Sequence, residues 1–366
     1  GLDEAIRKGL VSSVGGFDAK AAEDAQKFAV ENSRMKIPLI TGLDVVHGYY
    51  TIFPIPLASA CSWNMPLLEE SARVAADEAS AFGINWTFAP MVDICRDPRW
   101  GRIAEGAGED PCLGSRIGRA MVRGFQGDDL SKPNTLLACV KHFALYGASE
   151  AGRDYNTVSM DPVTMYNYYL PPYKAAFDEG AGSGMTSFNV VNGVPATGNK
   201  WLLTDLLRDQ WKFKGFMVSD ANSLAEMSEH GMGGAQRITE LAMNAGLDMD
   251  MSSSLYVLCL KKAVEEKRVP LSRIDAACRR VLEAKYKLGL FEDPFRYLKN
   301  KQRQSQVLSP QNRDVARRLA AESIVLLKNS EQLLPITPPR KIAVVGPMGN
   351  VPVSYTHLTL PTSDLV

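Results

Sequence analysis

The sequence predicts an α/β chain folded as a (β/α)8 barrel of the TIM type, and three observations carry that prediction. Short, continuously apolar segments read as strands covered on both faces, as in parallel sheets. They alternate with longer segments of helical spacing over more than the roughly 250 residues such a barrel needs. The strand-like segments also end on charged residues, and a barrel displays its chemistry at the C-terminal ends of its strands. An open doubly wound sheet is the weaker alternative, because no G-x-G-x-x-G follows a first strand.

The elements follow in order. IPLITGLD (37–44) is an apolar strand ending on Asp44. PLLEESARVAADEASAFG (66–83) has helical spacing, acids in its first turn and Gly83 at its end. INWTFAPMVD (84–93) and TLLACVKHF (135–143) read as strands, the second ending in Lys141-His142-Phe143. TMYNYYLPPYKAAFDEG (164–180) is helical in its second half, and SGMTSFN (183–189) is a strand with a polar end. WLLTDLLRDQWKFKG (201–215) reads as a helix closed by Gly215, and GFMVSD carries the chain to Asp220. GLDMDM (246–251) is a strand ending in Asp248 and Asp250, and SRIDAACRRVLEAKYKLGL (272–290) is a late amphipathic helix. A buried strand such as Phe216-Met217-Val218 stops on a carboxylate because its last residue emerges at the barrel mouth. Asp44, Lys141, His142, Asp220 and Asp248 all occupy such ends.

Composition narrows the function. The 366 residues hold 45% hydrophobic and 22% charged side chains, ordinary for a globular protein. Lys+Arg and Asp+Glu balance at 41 each, which argues against a nucleic-acid partner. No apolar run is long enough for membrane insertion. The six cysteines are scattered without a C-x-x-C pair, so neither a zinc site nor any other metal is expected. They read as buried thiols, with one disulfide left open.

The loop RDPRWGRIAEGAGEDP (96–111) crowds Arg96, Arg99, Arg102, Glu105 and Glu109. It is either a surface loop held by ion pairs or a loop that turns one arginine into a site to fix hydroxyls or a carboxylate. KHFALYGASEAGRDYN (141–156) sets Lys141 and His142 at a strand end with Arg153 close by. In GLDVVHG (42–48), His47 is better read as a structural group than as a site residue.

GLDVVHG, RDPRWGR, KHF, MTSFNVVNGVPAT and GFMVSD occur in an order and spacing that resembles the barrel domain of glycoside hydrolase family 3, bacterial periplasmic β-glucosidases above all. The resemblance runs from about Gly1 through KIAVVGP and includes the phrase ESIVLLKN. It implies a retaining exo-glycosidase that removes terminal non-reducing β-D-glucose from β-linked oligosaccharides or aryl glucosides, without a cofactor. It implies Asp220 as nucleophile. Asp44 is expected to bond the sugar hydroxyls, Arg102, Lys141, His142 and Arg153 to line the same subsite, and Met185 and Phe188 to shape its wall. The cations are expected to hold the Asp220 pKa down. Retention also needs an acid on a second carboxyl roughly 5 Å away.

Departures from the family pattern bear on specificity. Ala221 follows the nucleophile where many members have Trp, and Phe188 stands where many have Tyr. In the β-glucosidase branch the acid/base glutamate comes from the second domain. The β-N-acetylhexosaminidase branch uses an Asp-Ser-His loop instead, which this chain lacks, so a glucosidase or a xylosidase is implied. Glu150, Asp154 and Glu226 are the in-chain carboxylates that could replace that acid, though each reads first as solvated or salt-bridged. A poorly active, sugar-binding fragment is the reading from a different class; a barrel enzyme using Lys141 as a Schiff-base amine is a remote third. The resemblance also implies a periplasmic or secreted protein and leaves a homodimer open.

Four segments are expected: the barrel over 1–297, a linker with a helix over 298–341, the first strand of a truncated α/β sandwich domain over 342–351, and a non-native tail over 353–366. The tail rests on VSYTHLTLPT, which back-translates to a stretch resembling a sequencing-library adapter. Genomic sequence continuing in frame through those codons would overturn that reading.

Overall fold

A computed structural model describes residues 2–15, 19–299, 301–337, 341–343 and 345. Its scaffold is a series of short parallel strands with helices packed outside. Helix α1 (Leu2–Arg7), strand β1 (Ser13–Gly15) and helix α2 (Ala19–Asn32) lead to β2 (Ile40–Leu43), and β1 pairs in parallel with β2. Helices α3 (Pro56–Ala60) and α4 (Met65–Ala81) then return the chain to β3 (Trp86–Thr87), which extends the sheet beside β2. Helix α5 (Pro111–Gln126) precedes β4 (Cys139–Phe143). Helices α6 (Pro162–Thr164) and α7 (Pro171–Asp178) precede β5 (Ser183–Thr186). A small antiparallel hairpin, β6 (Val190–Val191) with β7 (Val194–Pro195), and a π-wound helix (Trp201–Gln210) lead to β8 (Phe216–Val218).

β4, β5 and β8 form a second parallel sheet. Parallel bridges Trp86–Leu137 and Val218–Met249 join the two sheets and add the segment around Met249. Among the described residues the series thus runs β1, β2, β3, β4, β5, β8 and Met249. The α/β class matches the expectation, while the full eight-strand ring is not traced by these pairings.

The strands are apolar on both faces because both are covered. Ile40, Trp86, Leu137, Cys139, Met185, Phe216, Val218 and Met249 pack as one cluster, and the Trp86 indole N–H there donates to Ser183 Oγ at 2.8 Å. Leu43, Val140 and Met217 belong to the larger cluster under the helices. Burial of such side chains contributes about 1.5–3 kcal/mol each. The outer helices start where the sequence supplies caps. Asn64 accepts from Leu67 N and Asp110 from Leu113 N, each just before a proline in the first turn. α4 and α5 cross closely at Gly124, where a Cβ would lie 2.5 Å from Ala72 Cβ and from Glu69 O.

Several expected boundaries shift. The helix from Trp201 ends at Gln210, not Gly215, because Arg208 reaches forward to the carbonyls of Phe213 and Gly215 and folds that stretch back. After α8 (Ser223–Glu226), α9 (Ala235–Ala245), α10 (Leu255–Glu265) and α11 (Leu271–Lys287), the stretch read as a linker proves docked. Helices α12 (Lys301–Gln304) and α13 (Pro310–Glu322) lie against α4, with Val315 and Leu319 packed on Phe53, Leu67 and Leu68. The helix expected through ESIVLLKN stops at Glu322, where Ser323 Oγ donates back to Leu319 O, and Ile324 to Leu327 are exposed. Residues 341–343 and 345 show no strand, and the rest of 342–351, like the tail 353–366, lies outside the described residues. All six thiols are free, and Cys61, Cys112 and Cys278 are exposed rather than buried. No helix among the described residues is long and apolar enough to cross a membrane.

Candidate active site

The strand ends converge on one large cavity of about 1160 Å³, whose wall includes Asp44, Arg102, Lys141, His142, Met185, Phe188 and Asp220. Asp44 follows β2, Lys141 and His142 lie within β4, Met185 lies in β5, and Asp220 follows β8. The β8 end is tied to its neighbour: Ser219 N donates to Met249 O at 2.9 Å and Ser219 Oγ accepts from Met251 N at 2.8 Å. The chain then turns sharply, with Asn222 left-handed at φ 61°, so Asp220 stands at the rim of the strand.

Two cations organise the site, a buried lysine and a partly buried arginine, each with its own carboxylate. Lys141, 2% exposed at its side chain, donates to Asp44 Oδ1 at 2.6 Å. Burial pushes the Lys141 ammonium down, but Asp44 and Glu105 outweigh it and hold the pKa above its ordinary value. Arg102 meets Glu105 through two bonds, Nε–Oε1 at 2.7 Å and a terminal nitrogen to Oε2 at 3.0 Å. The same Arg102 nitrogen lies 2.8 Å from His142 Nε2. An arginine can only donate, so Nε2 accepts and His142 carries its proton on Nδ1. Burial, Arg102 and Lys141 hold the imidazole well below its ordinary pKa, in the neutral form.

Asp220 sits 3.5 Å from His142 Nε2 through Oδ2, an oxygen with no hydrogen-bond partner in the protein, while Oδ1 accepts from Ala221 N at 2.7 Å. Burial pushes its carboxyl up to about 6; Arg102 and Lys141 pull it down, and Asp44 adds to the rise. The cations do lower it, as expected, but burial wins. The reason is visible in the pairing: each cation already faces its own carboxylate.

An aromatic wall completes the site. Phe188 stacks against Tyr155 (ring centroids 4.6 Å) and Tyr146 (5.8 Å), and Arg102 lies over the Tyr146 ring at 5.5 Å. Tyr155 and Glu226 also line the cavity. Burial, then Asp220 and Asp154, push the half-buried Glu226 carboxyl up.

Geometry of this kind, carboxylates and donors around one cavity, accords with what sequence comparison finds. The pattern of the Glycosyl hydrolase family 3 N terminal domain covers residues 8–284. The chain belongs to this family. It is 42% identical over 356 residues to the periplasmic beta-glucosidase of Salmonella typhimurium, covering 95% of this chain and 46% of that protein. A beta-xylosidase of Formosa agariphila is 35% identical over 94% of this chain and 51% of its own length. Among solved structures, the beta-glucosidase from Listeria innocua in complex with glucose superposes with a TM-score of 0.86 at 45% identity, over 88% of this chain and 45% of that one. The chain spans about half the length of the curated relatives it matches.

Within this family 3 domain, seven residues expected at the sugar subsite meet at one cavity: Asp44, Arg102, Lys141, His142, Met185, Phe188 and Asp220. Arg153 does not join them. It is exposed, and the cavity wall takes its neighbours Asp154 and Tyr155 instead. Asp154 is bonded by Trp100 Nε1 at 2.9 Å, and Glu150 is exposed. Asp248, expected at a strand end, instead lies level with Met217 before the bridge at Met249, and is clamped by Arg208 (2.7 Å), Arg280 (2.6 Å) and Met217 N (2.7 Å). His47 is buried, with Nδ1 3.1 Å from Phe53 O, a structural contact within its own loop. The loop 96–111 is both things it was read as: Arg99 pairs with Asp97 on the surface while Arg102 turns inward. Glu105 and Asp93 were not assigned roles from sequence. The i,i+3 spacing of Arg102 and Glu105 on the turn Gly101–Glu105 was a legible sign of the first. No group of three or more metal-ligating side chains occurs among the described residues.

Proposed function

We propose that the chain carries the nucleophile and sugar-binding half of a retaining exo-β-glycosidase acting on terminal non-reducing β-D-glucose. The observation that carries this reading is Asp220: a carboxylate at a strand end, in the cavity that holds the Asp44–Lys141 pair and Arg102, with one oxygen that accepts no hydrogen bond from the protein. That oxygen attacks the anomeric carbon and the C–O bond to the leaving group breaks. The electron pair stays on the leaving oxygen, which takes a proton from a second carboxyl. Water, giving a proton to that second carboxylate, then attacks the glycosyl-enzyme, and Asp220 leaves as the carboxylate. Asp44, held by Lys141, accepts from sugar hydroxyls, and Arg102 donates to them as positive charge develops on the ring.

By the family resemblance, the proton for the leaving group comes from a glutamate of a second domain. Asp154, Asp248 and Asp250 are engaged by Trp100, by two arginines and by Ser253 with Tyr256 N respectively. Glu226 is the cavity-lining carboxyl nearest this role within the chain. The chain alone therefore favours aryl glucosides with very good leaving groups, and loses roughly 10²- to 10⁴-fold on poor ones. Similarity to a periplasmic enzyme supports export. Identity with a β-xylosidase supports xylose as the second sugar to test.

The deciding experiment is intact mass after incubation with 2,4-dinitrophenyl 2-deoxy-2-fluoro-β-glucoside, whose leaving group needs no acid. One sugar adduct mapped to Asp220, absent in Asp220→Asn, is the expected result. An adduct elsewhere, or one that persists in Asp220→Asn, overturns the assignment; no adduct with either the glucose or the xylose reagent on a folded chain leaves a binding role only.

A further inference from the structure

Asp93 is a buried carboxyl that the reaction above does not use. It follows β3, is 1% exposed, and does not line the active-site cavity. Its Oδ2 lies 2.9 Å from His142 N and 2.9 Å from His142 Nδ1. Both of those groups carry protons: the backbone N–H always, and Nδ1 because Arg102 leaves Nε2 as the acceptor. So Oδ2 accepts twice.

Proton counting at the other oxygen gives the inference. The Tyr173 hydroxyl lies within hydrogen-bond distance of Asp93 Oδ1 and 2.8 Å from the carbonyl oxygen of His142. A phenol has one proton, and a carbonyl has none to give. If Tyr173 donates to the carbonyl, the proton between Tyr173 and Oδ1 must come from Asp93. If Asp93 were ionised, one of these two contacts would set lone pairs face to face in a fully buried site, which is costly.

We propose that Asp93 is held as the neutral carboxylic acid and acts with Tyr173 as a positioning pair, fixing His142 in its Nδ1–H form and through it the direction of Arg102. The relay reads Asp93 O–H to Tyr173, Tyr173 O–H to His142 C=O, His142 Nδ1–H back to Asp93, and Arg102 N–H to His142 Nε2. No atom of Asp93 reaches the sugar. The surroundings agree. Burial pushes Asp93 up to about 7, with Glu105 adding to the rise against the His142 N–H and the pull of Arg102, so the acid form dominates below that pH. Burial and Asp93 keep the Tyr173 proton on. The purpose of the pair rests on the reading of Arg102 and Asp220 given above; the protonation state does not.

Asparagine is the test, because its amide reproduces a neutral acid: the oxygen accepts from His142 twice and the NH₂ donates to Tyr173. In ¹⁵N spectra of histidine-labelled protein at pH 5.5, with His142 assigned by its loss in His142→Asn, the expected result is a protonated Nδ1 and bare Nε2 in wild type and in Asp93→Asn alike. Labelling of Asp220 by the fluoro-glucoside should stay within a few-fold in Asp93→Asn and fall by up to roughly 10²-fold in Asp93→Ala, as a misplaced Arg102 implies. A wild-type His142 protonated on Nε2 overturns the proposal. So does an Asp93→Asn chain that is folded but has lost the wild-type tautomer, since an ionised Asp93 is what that change would remove. If Asp93→Ala does not fold, the wild-type and Asp93→Asn spectra decide alone. The spectra need neither sugar nor turnover, so they succeed or fail separately from the glycosidase reading.

Discussion

The rate at which Asp220 attacks should follow a titration near pH 6. Its side chain is 14% exposed, and only one of its oxygens is bonded, to Ala221 N. Three carboxylates, Asp44, Glu105 and Asp220, share two cations, Lys141 and Arg102, whose short contacts are to Asp44 and Glu105. The pull left over for Asp220 does not offset its burial, hence a pKa of about 6. The sign follows directly: attack needs the ionised form, so the rate is full above this pKa and is lost as pH falls through it. A carboxyl of this kind is about one tenth ionised at pH 5 and almost wholly ionised at pH 7.5, so the rate should rise about tenfold between them. An ordinary carboxyl, with a pKa of about 3.9, would change by less than about a tenth over the same range. The assay is the pseudo-first-order rate of adduct formation with the dinitrophenyl fluoro-glucoside, which isolates the nucleophile because this leaving group needs no protonation. Circular dichroism at each pH controls for unfolding. A flat rate from pH 5 to 7.5 on folded protein would refute the argument that burial outweighs the cations.

Other perturbations separate the site from its scaffold. Glu105→Gln removes the partner that faces Arg102, so the pH midpoint of labelling should move below that of the wild type, and breaking a buried pair should cost up to about 3–5 kcal/mol in urea denaturation. Asp248→Ala leaves Arg208 and Arg280 without their shared carboxylate; it should also lose about 3–5 kcal/mol, while the labelling rate of the folded fraction stays unchanged. In Gly215→Ala the new Cβ would meet Gly182 O at 2.1 Å and Phe213 Cζ at 2.6 Å, both within the wall that seats β8. That crowding should cost about 1–3 kcal/mol in thermal or urea unfolding.

The parts of the fold legible in the sequence are those set by local pattern. Continuous apolar runs marked β2, β4, β5 and β8, because a strand covered on both faces has no polar side to alternate with. Asp44, Lys141, His142 and Asp220 were visible for the same reason: each interrupts such a run where the strand ends. What was not legible depends on partners remote in sequence. Asp248 was read as a strand end like Asp220, yet it lies level with Met217, before the bridge at Met249, where Arg208, 40 residues before it, and Arg280, 32 residues after it, clamp it. Arg153 was placed by motif, but its loop turns at Ala151 and Gly152, both left-handed, and presents Asp154 and Tyr155 to the cavity. A helix was legible within 298–341, but not its docking or its end at Glu322; only the spacing of Val315 and Leu319 recorded the apolar stripe that meets α4.

The same reasoning explains why the two most informative carboxyls of the site were hidden. Asp93 and Glu105 do not line the active-site cavity, so nothing in the proposed chemistry points to them. Their positions follow from a physical demand one step removed. A buried lysine or arginine needs a counter-charge, and a buried neutral histidine needs its tautomer chosen. Lys141 receives Asp44 and Arg102 receives Glu105, and His142 receives a proton acceptor at Nδ1 from Asp93. Because these demands are met by residues other than Asp220, its carboxylate is left basic and unbonded at one oxygen, which is the state an attacking group requires. Cations bonded directly to Asp220 would lower its pKa and with it its basicity as a nucleophile. Pairing them elsewhere leaves the free Asp220 oxygen unencumbered, as the proposed attack requires.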